Sequence, residues 1–386
     1  MLQEELTSME KELKTLPMAD DCGQTCCPEG QTLKLFNDVA GANWVTGQIE
    51  TAAGPVSQIS TNLKIADITG TVKTRLNLGR MNYRVNPALY AVGNPDINSP
   101  VLVSANYKLS FDSLRRELSG LNLWLLVIDT GGINVWCAAG KGTFGTSEVV
   151  RMVEETGLAN VVSHRILILP QLAAPGVAAH EVRRRCGFKV IYGPVRATDI
   201  PAFLAAGNKA EPAMRRTNFN LLDRLVLAPV ELVGMIMPTA ILAGALFMLN
   251  LAAAFVDGRM LSLTLLLSQA LSDLLPFLVA MLIGIILVPV LLPYIPGRAL
   301  AWKGWLLGML WASVYTIYIA PEAGWLQIAA YYLTIPVIPA FLGMNFTGST
   351  TYTSLSGVVK EMNYALPLII TSAALGLIAL ITVYFI

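Results

Sequence analysis

Apolar positions divide the chain into two regimes. Up to about Asn220, short apolar runs alternate with polar stretches, and after Leu225 the runs become long and are broken only briefly. In the first regime Pro100-Val101-Leu102-Val103-Ser104 reads as a buried strand, Asp112 to Ser119 as a helix, and Leu123 to Ile128 as the next strand. A helix is expected from about Ser147 to Glu155, with Thr146 or Ser147 as N-cap, Glu148 in the first turn and a stop at Gly157. Arg165 to Leu169 gives a strand, Val177 to Arg185 a helix and Phe188 to Tyr192 a further strand. Apolar strands alternating with helices imply an α/β doubly wound domain, Rossmann- or flavodoxin-like, whose sheet is largely parallel and covered on both faces.

In the second regime, spans are expected at about 228–255, 272–294, 302–320, 325–345 and 364–386. Each is long enough to cross a ~30 Å hydrocarbon core at ~1.5 Å per residue. This predicts an all-α polytopic membrane domain of five transmembrane helices. Arg215, Arg216, Arg224, Arg298, Lys303 and Lys360 fall on the side of the soluble region, whereas the opposite loops hold Asp257, Arg259 and Glu322. The positive-inside rule then puts the soluble domain in the cytoplasm and the C-terminus outside an inner membrane. The run from Met260 to Tyr294 exceeds one upright span, so part of it is expected to tilt or lie at the interface. Glu231 and Asp273 near span ends read as interfacial anchors or as part of a transport pathway. The divisions are thus 1–45, an N-terminal extension; 46–210, the α/β domain; 211–227, a linker; and 228–386, the membrane domain.

Composition narrows the function. With 54% hydrophobic residues, a net charge of +1 and no basic patch interleaved with aromatics, nucleic-acid binding is excluded. Met1 to Lys14 is acidic and amphipathic rather than a secretory signal. The five cysteines, Cys22, Cys26, Cys27, Cys137 and Cys186, have no framework spacing. Cys186 reads as a core residue.

Cys137 stands apart. It follows the Leu123–Ile128 strand and the turn Asp129-Thr130-Gly131-Gly132, in the crevice at strand carboxyl ends where open α/β sheets bind ligands. Gly131, Gly132, Gly140, Gly142 and Gly145 around it allow close approach by a large planar ligand. A buried hydrophobic role is the ordinary alternative. Neither histidine fits the Asp-x-His-x-x-Gly pattern of histidine-ligated cobalamin proteins, because Val162 precedes His164 and Ala178 precedes His180 at the acidic position. A P-loop at Gly140-Lys141-Gly142-Thr143 fails, with Val135 at its first glycine and Gly142 after the lysine. Lys141 could lower the Cys137 pKa or be solvated.

The segment Asn134-Val135-Trp136-Cys137-Ala138-Ala139-Gly140-Lys141 resembles, at every position, the cap-helix motif of the mercury-methylating corrinoid proteins, which are membrane-anchored methyltransferases. The resemblance extends over most of residues 60 to 386. Ser104-Ala105-Asn106-Tyr107-Lys108 resembles part of the corrinoid domain of the acetyl-CoA-pathway corrinoid iron–sulfur protein. The resemblance implies a corrinoid (cobalamin-type, base-off) whose cobalt takes the Cys137 thiolate as lower axial ligand, and methyl transfer to Hg(II) forming methylmercury in an anaerobic setting. Asn134 through Lys141, Thr143, Gly145, Thr146, Asn106, Tyr107, Gln171 and Gly176 are the expected cofactor contacts, with the corrinoid-tail phosphate near Thr143 to Ser147. Cys22, Cys26 and Cys27 could capture Hg(II) or form part of a cluster. They lack a ferredoxin spacing, so electrons are expected from a ferredoxin-like protein with two [4Fe–4S] clusters, and methyl groups from a donor such as a methyl-folate system. Two other readings remain: a membrane-anchored methyl carrier of one-carbon metabolism, and a non-enzymatic transport or assembly protein.

Overall fold

The computed structural model describes residues 42–258, 262–346 and 355–386. Cys22, Cys26 and Cys27, Arg259 and Met260 lie outside them. The first regime forms one seven-stranded sheet: β1 (Val45–Thr51), β2 (Gly54–Ile59), β3 (Ala88–Val92), β4 (Val101–Ala105), β5 (Leu123–Ile128), β6 (Ile166–Leu169) and β7 (Lys189–Tyr192). Their order is β1-β2-β3-β5-β4-β6-β7. The sheet is mixed, which corrects the expectation of a largely parallel one. β5, β4, β6 and β7 are mutually parallel, but β3 runs antiparallel to β5 and β1 antiparallel to β2. The sequence reading passed over β1, β2 and β3. β1 (VTGQIET) alternates half-buried and exposed positions and carries no apolar run, and β3 spans only five residues between Pro87 and Gly93.

Strands β3, β4 and β5 are buried at every position, as strands covered on both faces must be. One face packs Leu89, Val103 and Leu126 against α3 (Val135–Lys141), α4 (Thr146–Glu155), the short α5 (Leu158–Val161) and α6 (Ala179–Cys186). The other packs Tyr90, Leu102 and Leu125 against α2 (Lys108–Glu117) and α7 (Ile200–Ala205). The chain therefore leaves β4 toward one face and leaves β5 and β6 toward the other. That divergence opens a crevice at the carboxyl end of β4.

Four buried charges lock α1 (Ile65–Arg75) to α2. Lys108 Nζ lies 2.9 Å from Asp67 and 2.7 Å from Asp112, and Arg115 lies 2.7 Å from Asp67 and 2.8 Å from Asp112. Two acids and two bases leave no net charge in the interior. Burial alone would raise the Asp67 pKa, but hydrogen bonds from Lys108 and the Lys64 backbone, with the neighbouring cations, hold it below its ordinary value. Burial, then the charges of Asp112 and Asp67, push the adjacent Tyr83 hydroxyl up to about 12.

In the second regime, α8 (Leu221–Leu225) and α9 (Ala228–Gly234) lead into α10 (Ile236–Val256) and α11 (Leu263–Leu282). α11 continues through a π-turn into α12 (Val288–Leu291), so Leu263–Leu291 is one continuous helix, longer than an upright span needs. α13 (Leu300–Val314), α14 (Trp325–Thr334), α15 (Val337–Phe346) and α16 (Leu355–Val383) complete the bundle. Among the described residues four helices, not the expected five, are long and apolar enough to cross a membrane: Ile236–Val256, Leu263–Leu291, Trp325–Phe346 and Gly357–Val383. The run expected at 302–320 falls short because Lys303, Trp302, Trp305, Trp311, Tyr315 and Tyr318 dilute its apolarity. It still packs closely on α15, since a Cβ at Gly304 would strike the Pro339 carbonyl and one at Gly308 would lie 2.5 Å from Pro336 Cα. Asp273 accepts hydrogen bonds from Asn250 Nδ2 (2.8 Å) and the Tyr384 hydroxyl (2.5 Å), so it stitches α10, α11 and α16 together.

Removing one member of the buried quartet strands the others. Asp67→Asn should lower unfolding stability by roughly 3–5 kcal/mol in a denaturant titration of the full chain. Because the folded-state pKa of Asp67 lies below its unfolded value of ~3.9, its contribution is present above that pH and lost as pH falls through the folded value. The wild-type melting temperature should therefore fall more steeply than that of Asp67→Asn below about pH 4.

Candidate functional site

The crevice is organised by Asn106, the first residue after β4, which is only 2% exposed. Its Oδ1 accepts the backbone N–H of Thr130 (3.0 Å) and of Gly132 (3.0 Å) and lies 2.8 Å from the Thr130 hydroxyl, while its Nδ2 donates to Asp129 (2.9 Å). One side chain thus fixes the whole turn leaving β5. Gly131 and Gly132 adopt φ of 68° and 76°, the left-handed region that glycine enters without strain. The turn delivers the chain to α3. Asn134 is its N-cap, with its side chain accepting the Cys137 N–H at 2.9 Å, and Gly142 at φ 82° ends it.

Within α3 the residues divide by face. Ala138 and Ala139 are buried against the core, and Phe144 is fully buried just beyond, so the helix is anchored from below. Gly176 makes this possible: a Cβ there would strike the Phe144 carbonyl and lie 3.0 Å from Ala139 Cα. Cys137 is half-buried, Trp136 is 38% exposed, and Gly140 and Lys141 are exposed. A cavity of about 420 Å³ adjoins α3, lined by Asn134, Val135 and Trp136, by Ser104 and Tyr107 beyond β4, and by Pro170 beyond β6. Cys137 does not line it. Burial pushes the Tyr107 hydroxyl up, and Arg80 and Arg75 oppose that push.

Other expected contacts have structural roles. The Asn106 amide is committed to the turn, and Gln171 accepts from Arg215 at 3.0 Å. Gly145, rather than Thr146 or Ser147, is the N-cap of α4, and the Thr146 hydroxyl accepts the Ala178 N–H at 2.9 Å. The groove holding Thr143, Gly145 and Thr146 is also rimmed by Asp129 and Glu148, so acids stand where a phosphate is expected. His164 is occupied by the Ser99 carbonyl (2.9 Å) and the Ile166 N–H (3.3 Å), and His180 is exposed. Cys186 packs against the core, its thiol pKa raised by burial.

Sequence reasoning missed Arg75 and Arg80 of the cavity wall, and also Val226, Leu227 and Val230, which roof it from α9 and the turn before. No local spacing signals them. They meet at the crevice, where Arg75 reaches the Val226 carbonyl (3.4 Å), and nearby Arg224 donates to the carbonyls of Pro289 and Val290 (both 2.8 Å), tying the α/β domain to the bundle.

The crevice coincides with the part of the chain that is similar to known proteins. Residues 70–204 match the family model described as CO dehydrogenase/acetyl-CoA synthase delta subunit. The acetyl-CoA decarbonylase/synthase complex subunit gamma of Methanocaldococcus jannaschii is 38% identical over 122 residues, 31% of this chain and 25% of that protein. The subunit gamma of Methanopyrus kandleri is 38% identical over 122 residues, covering 31% and 26%. That of Archaeoglobus fulgidus is 32% identical over 139 residues, covering 35% and 29%. This chain therefore spans about a quarter of the length of the curated relatives it matches. The matched segment ends before α8, so the similarity belongs to the α/β domain.

Asn106→Ala should leave the donors of Thr130 and Gly132 without their acceptor. A stability loss of roughly 2–4 kcal/mol is expected from stranding two or more buried donors. Alkylation of Cys137 by a maleimide should accelerate as α3 loosens. Asn134→Ala should cost only about 1 kcal/mol.

Proposed function

We propose that this chain is a membrane-associated corrinoid protein that transfers methyl groups, in which the Cys137 thiolate would hold the cobalt. The observation that carries the reading is Cys137 itself, half-exposed on a short helix whose start is fixed by Asn134 and Asn106, beside the crevice at the carboxyl end of β4. The donor set fits the group. A soft thiolate suits a transition metal whose other ligands come from a macrocycle. When bound, the corrinoid supplies a cobalt centre able to accept and release a methyl group.

The residues of the chain orient and tune. Asn134 and Ala138–Ala139 hold the thiol at a fixed height over the sheet, Trp136 and Tyr107 offer rings along the cavity, and Arg75 and Arg80 supply positive charge beside it. The relatives, named as subunits of acetyl-CoA decarbonylase/synthase complexes, favour a methyl carrier of one-carbon metabolism that works with protein partners. A second reading, methyl transfer to Hg(II), is favoured by the cap segment Asn134–Lys141, because a thiolate enriches the electron density of the metal it binds and a soft electrophile is the matching acceptor. In either case a separate ferredoxin-like protein with two [4Fe–4S] clusters would restore the reduced cofactor. The membrane domain would hold the corrinoid domain at the cytoplasmic face. With Leu300–Ile319 as a fifth crossing, the C-terminus would lie outside.

Purified full-length protein should carry a corrinoid with a thiolate-ligated, base-off absorption spectrum. Cys137→Ala should lose that signature and all methyl transfer while still being expressed, and Cys137→His should keep corrinoid but transfer more slowly. A corrinoid-free protein, or a Cys137→Ala variant with unchanged spectrum and rate, would refute the assignment. Methylmercury formation from Hg(II) in cells, present in wild type and absent in Cys137→Ala, separates the second reading from the first.

A reporter fused after Ile386 that is active only in the cytoplasm should stay silent. Strong activity would mean that Leu300–Ile319 does not cross.

A further inference from the structure

We propose that the membrane domain holds an anionic glycerophospholipid in a groove between α13, α15 and α16. The groove is a cavity of about 1220 Å³ that shares no lining residue with the Cys137 crevice. Its two ends differ in chemistry. At one end stand Arg298, Lys303 and Lys360 with a single carboxylate, Glu361. Lys303 is buried and donates to the Leu292 carbonyl at 2.6 Å, and Glu361 accepts the Ala301 N–H at 2.6 Å, so both are committed to the wall. Arg298 and Lys360 are exposed, and neither makes an ion pair among the described residues. The mouth thus has an excess of cations, two of them free to meet a phosphate.

The rest of the wall is mainly apolar, including Leu333, Val337, Leu368, Ile369 and Leu375, and the hydroxyls of Thr371 and Ser372 on it are turned to the Pro367 and Leu333 carbonyls. From Lys360 to Leu375 is roughly fifteen residue rises of ~1.5 Å, or ~22 Å along α16. That equals about half of the ~40–45 Å thickness of a bilayer with its headgroups, the reach of a lipid in one leaflet. The charged end faces the soluble domain, since Leu292, Leu300 and Phe346 beside it pack against Phe219 and Leu227. Trp302 and Trp305 stack there at 5.1 Å between ring centroids, the amphipathic aromatic pair expected at headgroup depth. Charge at one end, one leaflet of apolar depth and aromatic rings between them fit a phospholipid with a net negative headgroup.

The full-length protein is to be reconstituted in phosphatidylcholine nanodiscs, with chain-brominated phosphatidylglycerol or chain-brominated phosphatidylcholine added and tryptophan quenching recorded. The phosphatidylglycerol should quench at a mole fraction about tenfold lower than the zwitterionic lipid. Arg298→Gln with Lys360→Gln should abolish that preference, and Ala365→Leu, which fills the groove without changing charge, should weaken quenching by both lipids. Millimolar inorganic phosphate should not relieve the quenching. Equal quenching by the two lipids, a preference that survives the double substitution, unchanged quenching in Ala365→Leu, or relief by inorganic phosphate would each overturn the proposal.

Discussion

A single buried side-chain amide sets the geometry of the crevice. Asn106 sits where β4 ends, and its oxygen gathers donors from the turn that ends β5, so two parallel strands whose following helices diverge to opposite faces are pinned at the point of divergence. An unpaired buried donor costs roughly 1–3 kcal/mol, so any loosening of this turn is resisted by several groups at once. The turn in turn sets where α3 begins, and α3 sets where the Cys137 thiol stands. The quartet of Asp67, Lys108, Asp112 and Arg115 does comparable work one layer away, holding α1 and α2 together and so keeping Arg75 and Tyr107 at the cavity wall.

The soluble and membrane parts are not independent bodies on a loose linker. Arg224, 6% exposed, spends its guanidinium on carbonyls at the end of the Leu263–Leu291 helix, where backbone acceptors have no helical partner. Val226, Leu227 and Val230 then close over the cavity. The region read from sequence as a linker, 211–227, therefore contributes walls to the candidate site.

Much of this was legible in the residues. The strands at 101–105, 123–128, 166–169 and 189–192 lie within a residue of their expected bounds, because continuous apolar runs between turn residues leave few alternatives. The mixed sheet was not legible: the polar hairpin of β1 and β2 and the five-residue β3 find their place by pairing, which no local period encodes. The buried quartet was equally hidden, since its members lie up to 48 positions apart, from Asp67 to Arg115, and each alone reads as a solvated charge. The Gly304-x-x-x-Gly308 spacing was in plain view and is the signal that α13 packs tightly in the bundle.

The grip of Arg224 on the bundle has a consequence for encounters. A domain hung from a flexible tether samples all orientations and can be met from any side, whereas this one keeps a constant bearing toward the helical bundle. Because Val226, Leu227 and Val230 line the cavity from the bundle side, whatever enters it has to come from the sides these residues leave open. A molecule docking there meets one fixed face rather than a freely turning one.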